Sequence, residues 1–282
     1  MLLVRHESPL AQVSFIDLPN RDTAVRELLA GQLDALSLPM DEVLQIASRH
    51  RFKVVAAINL ATGLSALMSR PEIADLREIR GKRIGLTGDA GSLLLLNEAL
   101  REAGLTDRNA VERIILPQDF FEHPPAGSSP LDNLDVLAVQ EPYRSQRLAE
   151  GWQILLDSTQ IPGGLADLVV VRQEALETHS EALRDLLRHL SSAIDALTLE
   201  PDDAMEQVAS SLGLEPEVLA TLLEGINWAE AETNHQIFEG SCGSLCQSAE
   251  QTAEILAAEG FLREVPPLAH FFDGRFLPAP PP

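Results

Sequence analysis

Residues 80–105 read RGKRIGLTGDAGSLLLLNEALREAGL, and this stretch decides the fold. The apolar run 83–86 predicts a buried strand, and residues 93–103 carry apolar side chains at helical spacing. Between them lies the small-residue turn 87–92, and Gly104 stands where helices commonly end in glycine. The stretch predicts a strand, a turn and a helix N-terminus, whose free amides favour anions or polar acceptors. An ordinary β–α connection without a ligand has the same pattern.

The composition is that of a globular protein with a large excess of negative charge. Lys and Arg total 21 against 43 Asp and Glu, a formal net charge of −22, and 45% of the 282 residues are hydrophobic. Such a charge repels phosphate backbones, so we expect no nucleic acid partner. No apolar run approaches the roughly 20 residues that span a bilayer. Residues 1–14 contain no apolar stretch of signal-peptide length, so the sequence as written predicts no export signal.

Strand-like and helical segments alternate along the chain up to Arg172. The predicted strands are 1–6, 13–18, 33–38, 54–59, 64–69, 83–86, 111–116, 136–140, 152–156 and 167–172. Short helices are predicted between them at 23–30, 40–49 and 145–150, besides 93–103. From Gln173 onward only helices are predicted, at 181–199, 202–212, 215–224 and 248–259. This order predicts an α/β fold with mainly parallel sheets.

The pattern also predicts two lobes, of which the first is discontinuous. Lobe 1 is assigned to residues 1–68 and 173–282, and lobe 2 to residues 69–172. The runs 64–69 and 167–172 are predicted to cross between the lobes as strands that form the hinge. A ligand would then lie in the cleft, at the carboxyl ends of the strands.

The sequence offers little that indicates catalysis. It has no GxSxG elbow, no HExxH pair and no GxxxxGK[ST] loop. Cys242 and Cys246 could form a disulfide, remain reduced or face each other along a helical turn. Two cysteines without a nearby pair of histidines do not complete a zinc site. We therefore expect a binding protein rather than an enzyme, with no metal and no cofactor.

Six segments together carry a resemblance to a known family. They are AGQLDALSL (30–38), LREIRGKRIGL (76–86), QEPY (140–143), DSTQIPG (157–163), DLVVVR (167–172) and FDGRFL (272–277). In this order they resemble the substrate-binding proteins of bacterial ABC importers, of the nitrate/sulfonate/taurine and thiamine-pyrimidine-precursor type. The resemblance implies a type II periplasmic-binding-protein fold, which closes two lobes on a small polar organic ligand. It also implies a monomer that partners an ABC permease in the membrane.

The start of the chain departs from this family. The resemblance begins about one strand late, so the usual signal and first strand are predicted to be missing. The protein would be periplasmic or membrane-tethered if its native start carries a signal. Two alternatives remain: a ligand-sensing domain of the same fold, or an enzyme of thiamine-pyrimidine biosynthesis, whose cysteine-rich motif is absent here.

Loops that follow the predicted strands supply the candidate ligand contacts. These are Ser37, Asn59, Thr62, Thr87, Asp89, Gly91, Ser92, Glu141, Tyr143 and Asp167. For Asp89, Ser92 and Thr62 the alternative is helix capping or turn formation. Carboxylates at 141 and 167 would disfavour a doubly charged oxyanion and suit an amine, such as that of a pyrimidine. A sulfonate-like or nitrate-like ligand is the alternative, and Arg144 and Arg172 could instead pair with these carboxylates.

Overall fold

The chain forms two compact units, which are described separately. The computed structural model describes residues 12–47, 51–61, 63–105, 107–117, 120–121, 130–161, 164–199, 201–223, 226–240, 243–268 and 270–279. Unit 1 comprises Met1–Leu60 with Ala166–Pro282, and unit 2 comprises Ala61–Leu165. The predicted boundaries at 68/69 and 172/173 lie a few residues later than these unit boundaries. The prediction assigned nearly all of the strand at 64–69 to the first lobe and the strand at 167–172 to the second, whereas the structure assigns each to the following unit.

Unit 1 is built on a four-stranded sheet. Its strands are β1 (Ala35–Pro39), β2 (Phe52–Ala61), β8 (Asp167–Arg172) and β9 (Asn227–Trp228), in the order β1-β8-β2-β9. Strand β8 runs antiparallel to both β1 and β2. It is the first strand after the chain returns to unit 1, and it lies between two strands that precede it in the sequence.

Unit 2 is built on a five-stranded sheet. Its strands are β3 (Ser65–Ser69), β4 (Arg83–Leu86), β5 (Glu112–Ile115), β6 (Val136–Gln140) and β7 (Gln153–Asp157), in the order β5-β4-β6-β3-β7. Strand β4 is parallel to β5 and β6, whereas β3 is antiparallel to β6 and β7. The other four strands of this sheet therefore share one direction, and their carboxyl ends lie at one edge.

The expectation of mainly parallel pairing is wrong. In each sheet the crossing strand, β8 or β3, is inserted antiparallel between two strands that share a direction. A buried apolar run identifies a strand from its composition, but the run does not encode the direction in which the strand pairs.

Helices cover the sheets at positions close to those predicted. Unit 2 has α3 (Ala90–Glu102) and α4 (Tyr143–Ala149); unit 1 has α1 (Arg21–Leu29), α2 (Met40–Ala47), α5 (Gln173–Thr178), α6 (Ser180–Leu199), α7 (Pro201–Leu212), α8 (Pro216–Leu223), α9 (Ala231–Ile237) and α10 (Ser244–Ala258). The start of α3 precedes the predicted start, so Gly91 and Ser92 lie in its first turn. Helices α5 and α9 and strand β9 were not predicted, because all three are short and α9 is largely polar.

One predicted strand is absent from the described residues. Residues 13–18 form no strand, and their side chains Phe15 and Ile16 are 42% and 60% exposed. Alternating apolar residues form a strand only when another strand satisfies their backbone hydrogen bonds. The predicted strand 1–6 lies outside the described residues.

The unit 2 sheet is buried on both faces. Leu67 of β3 and Ala138 of β6 pack against Leu96 of α3 on one face. Alternate residues of the same strands, such as Met68 and Val139, pack on the opposite face with Trp152. This alternation follows the two-residue side-chain period of a strand.

Cys246 is disulfide-bonded and buried at the start of α10. The sequence contains only one other cysteine, Cys242, which lies outside the described residues. The sequence left three states open for the two cysteines, and the structure contains the disulfide. Among the described helices, none is long and apolar enough to cross a membrane.

Negative charge is concentrated in the helices of unit 1. The sequence has no Lys or Arg between Arg188 and Arg263, a stretch that holds α7 to α10. The exposed carboxylates there include Asp202, Glu206 and Glu254. Like charges at this density repel one another and lower the stability of the folded state.

We expect the melting temperature to rise by about 3 °C or more between 10 mM and 500 mM NaCl, because salt screens this repulsion. Differential scanning fluorimetry measures the shift. The variants Glu206→Gln and Glu254→Gln should reduce the salt dependence. The control Glu98→Gln should not, because Glu98 pairs with Arg101. A melting temperature that falls with salt contradicts this account.

Candidate polar binding edges of the two units

In unit 1 the predicted ligand residues lie on neighbouring strands. Asp167 begins β8 and stands opposite Pro39 of β1 on one side and Asn59 of β2 on the other. Asn59 is buried; its amide nitrogen donates to Asp167 Oδ2 at 2.8 Å, and its Oδ1 accepts from the Asp167 backbone N–H at 3.3 Å. Ser37 is half-buried opposite Val169. Thr62 lies outside the described residues.

The carboxylate of Asp167 has no ion pair with any Lys or Arg of the described residues. Arg172, at the far end of the same strand, pairs instead with Asp34 at 3.1 Å and with Glu174 at 3.4 Å. Of the pairings that the sequence left open, Arg172 with Asp167 is therefore not formed. Among the described residues, the side-chain partner of the Asp167 carboxylate is the amide of Asn59.

Helix α2 begins directly after β1, but its N-terminus is poorly suited to an anion. The N–H of Met40 donates to the carbonyl oxygen of Ala166 at 2.9 Å. Asp41 and Glu42 lie in the first turn, and Glu42 pairs with Arg21 at 3.0 Å. Carboxylates in a first turn already neutralise the positive end of the helix dipole.

In unit 2 the turn at Thr87 to Asp89 leads into α3. Asp89 is the N-cap: its Oδ1 accepts from the Ser92 N–H at 2.8 Å, and its other oxygen accepts from the Thr87 hydroxyl. Ser92 is buried, and its hydroxyl donates to the Asp89 carbonyl oxygen at 2.9 Å. Gly91 follows the cap inside the first turn. The capping alternative is thus realised for Asp89, and Thr87 and Ser92 are bonded to it.

Glu141 and Tyr143 follow β6 at the same edge of the sheet, because β4 and β6 are parallel neighbours. Glu141 Oε1 accepts from Arg144 Nη1 and from the Ser145 hydroxyl, both at 2.9 Å. Its Oε2 accepts from the Ser145 N–H at 3.2 Å, so the carboxylate caps α4. The ring of Tyr143 stacks on Phe121 with centroids 4.9 Å apart. Glu141 is therefore compensated by Arg144, unlike Asp167.

Two buried residues of functional interest escaped the sequence analysis. Asn234 donates to the carbonyl oxygens of Ala57 and Ala229 and accepts from the Ala57 N–H, so it attaches α9 to β2. Ser158 follows β7 and is fully buried, and its hydroxyl has no hydrogen-bond partner among the described residues. Neither burial nor partnering of a single polar residue can be read from the sequence pattern.

Two surface pockets of unit 1 contain none of the predicted ligand residues. One, of about 620 Å³, is lined by Phe238, Phe272, Asp273 and Arg275, and the other, of about 360 Å³, by Phe52 and Arg172. In the larger pocket Asp273 is already paired with Arg275, whose hydrogen bonding holds the pKa of the Asp273 carboxyl below its usual value. In the other pocket Arg172 is paired with Asp34 and Glu174. We give greater weight to the strand ends, where polar groups remain uncompensated. Within the described residues no cluster of His, Cys, Asp or Glu could hold a metal ion.

Solved structures similar to this chain include several periplasmic binding proteins. The periplasmic aliphatic sulphonate binding protein SsuA from Escherichia coli is 16% identical with a TM-score of 0.68, over 89% of this chain and 79% of that one. A ligand binding component of an ABC-type import system from Staphylococcus aureus is 12% identical with a TM-score of 0.63, over 95% and 90%. The desulfurization enzyme DSZB is 16% identical with a TM-score of 0.58, over 87% and 84%.

At these identities the likeness shows the fold alone. No curated protein sequence matches the chain. A family model described as NMT1/THI5 like matches residues 11–204, which is more than half of the chain. The type II periplasmic-binding-protein fold inferred from the sequence is confirmed, with mixed rather than mainly parallel sheets. The chain therefore belongs to the NMT1/THI5-like family and has the α/β fold of the periplasmic binding proteins.

Proposed function

We propose that this protein is the substrate-binding component of an ABC importer and takes a small polar organic ligand that bears an amine, such as an aminopyrimidine. Membership of the NMT1/THI5-like family supports a substrate-binding role. So does the fold shared with SsuA and with the import component from Staphylococcus aureus.

The ligand class is inferred from one observation, which is the set of partners of the Asp167 carboxylate. One of its carboxylate oxygens accepts from the Asn59 amide, and no cation of the described residues pairs with it. A ligand amine would supply the missing donor through a charge-assisted hydrogen bond, which is shorter and stronger than a neutral one.

An anionic ligand finds less support. Arg144 is paired with Glu141, and Arg172 with Asp34 and Glu174, so a sulfonate would have to break an ion pair to gain either of these two cations. It would also lie near uncompensated carboxylate charge, which is costly when water is removed. SsuA and this chain are 16% identical. The sulphonate in the name of SsuA is therefore not proposed as the ligand of this chain.

The remaining parts of the proposal follow the family. The protein acts as a monomer, closes its two units on the ligand and delivers it to a membrane permease. Its location is periplasmic or membrane-tethered. The disulfide at Cys246 supports an oxidising compartment, where such bonds persist.

Catalysis is the second candidate function, since the desulfurization enzyme DSZB shares the fold. We favour binding because His189 and His235 hydrogen-bond backbone oxygens rather than a nucleophile. Incubation with the compounds named below, followed by mass spectrometry, would reveal turnover.

We expect 4-amino-5-hydroxymethyl-2-methylpyrimidine to raise the melting temperature of the ligand-free protein by about 5 °C or more at 100-fold excess over its Kd. Taurine, hexanesulfonate and nitrate should give no shift, because Arg144 and Arg172, the cations nearest in sequence to the candidate carboxylates, are already paired. Scanning fluorimetry of this panel makes the comparison. A shift of several degrees with the sulfonates alone would refute the proposed ligand class.

We also expect Asp167→Asn to raise the Kd of the aminopyrimidine about tenfold or more, because it removes the charge that assists the hydrogen bond. Isothermal titration calorimetry measures the change. The control Asp185→Asn removes an exposed carboxylate of the same unit that pairs with Arg188, and should leave the Kd unchanged. Equal affinity of the Asp167 variant and the wild type would exclude Asp167 from the site.

A further inference from the structure

Ser158 carries a buried hydroxyl for which the described part of the protein supplies no partner. Its side chain is fully buried, and within the described part of the chain its Oγ forms no hydrogen bond. A buried polar group without a partner destabilises the folded state, so it commonly has a reason outside the ligand-free protein.

The turn that contains Ser158 does not need its hydroxyl. Asp157 caps the turn, accepting from the N–H of Thr159 at 2.9 Å and from the Thr159 hydroxyl. Gln160 Oε1 accepts in return from the Asp157 N–H at 3.1 Å. The neighbouring polar side chains thus complete the capping box, and Ser158 alone is unused.

Ser158 lies at the edge of unit 2 that holds the predicted ligand residues. Ser65 and Ala66 of β3 stand opposite Gln140 and Asp157, so β6 and β7 end on the two sides of the start of β3. Ser158 is the first residue after β7, as Glu141 is the first after β6.

The same turn approaches the first turn of α3. Ile161 packs against the cluster that contains Leu93 of α3 and Leu156 of β7. A Cβ placed on Gly91 would lie 3.8 Å from Leu165 Cδ2. Ile161 and Leu165, which follow Ser158 in the chain, therefore pack beside the helix N-terminus that follows β4.

We propose that Ser158 is a ligand contact that sets specificity, with its hydroxyl donating to a neutral acceptor of the bound molecule. This inference rests on the proposed binding function. An aminopyrimidine carries such an acceptor, a ring nitrogen, beside its amine.

The test compares Ser158→Ala with Ser69→Ala in the full chain. Ser69 is an equally buried serine of unit 2, but its hydroxyl donates to the Ile73 carbonyl oxygen at 2.6 Å. Melting temperatures of the ligand-free variants are measured first. Calorimetry then gives the Kd of the aminopyrimidine, or of any sulfonate of the panel that binds the wild type in its place.

We expect Ser158→Ala to keep or raise the melting temperature and to weaken binding about tenfold. Ser69→Ala should lower the melting temperature by several degrees and leave the Kd unchanged. A melting temperature that falls in Ser158→Ala as it does in Ser69→Ala, or an unchanged Kd, overturns the inference.

The two proposals fail in distinguishable ways. If only a sulfonate binds, the proposed ligand class is refuted. The role of Ser158 is then tested by the Kd of the Ser158→Ala variant for that sulfonate. If no panel compound binds the wild type, the melting temperatures still decide whether Ser158 lacks a partner within the protein.

Discussion

The hydrogen bonds between Asn59 and Asp167 mark the constraint on which unit 1 depends. The two residues are 108 positions apart, and they meet where the chain re-enters the unit as β8. Strand β8 must pair with β1 and β2 together, and a slip of one residue would turn its buried valines to the other face. The polar pair stands at the start of this strand, where it fixes register without interrupting the apolar core.

Unit 2 repeats the arrangement with β3, the first strand after the chain leaves unit 1. In both sheets the inserted strand is apolar along its length, and the polar residues collect where the neighbouring strands end. The sheet needs apolar side chains on its faces but not beyond its edge. Binding chemistry can therefore vary at Glu141 or Ser158 with little effect on the core, whereas Asp167 also holds the register of β8 through Asn59.

Much of this fold could be predicted from sequence, because long apolar runs bounded by Gly, Pro or charged residues identify buried strands. Strands β4, β6 and β8 occupy their predicted residues, as does nearly all of α6. Strand direction could not be predicted, since β3 would read the same in either orientation. Asp89 shows what sequence can say of a site: the N-cap pattern is local. The compensation of Glu141 by Arg144, the uncompensated charge of Asp167 and the unused hydroxyl of Ser158 depend on burial and packing, which a local pattern does not contain.

The central claim is that polar groups at the strand ends, and not the surface pockets of unit 1, receive the ligand. Hydrogen–deuterium exchange with and without the panel compound that most raises the melting temperature tests it most directly. The account predicts slower exchange in peptides that cover 37–40 and 166–168 of unit 1, and 87–92 and 157–161 of unit 2. Slower exchange confined to 235–240 and 272–275, which line the larger pocket, would contradict it.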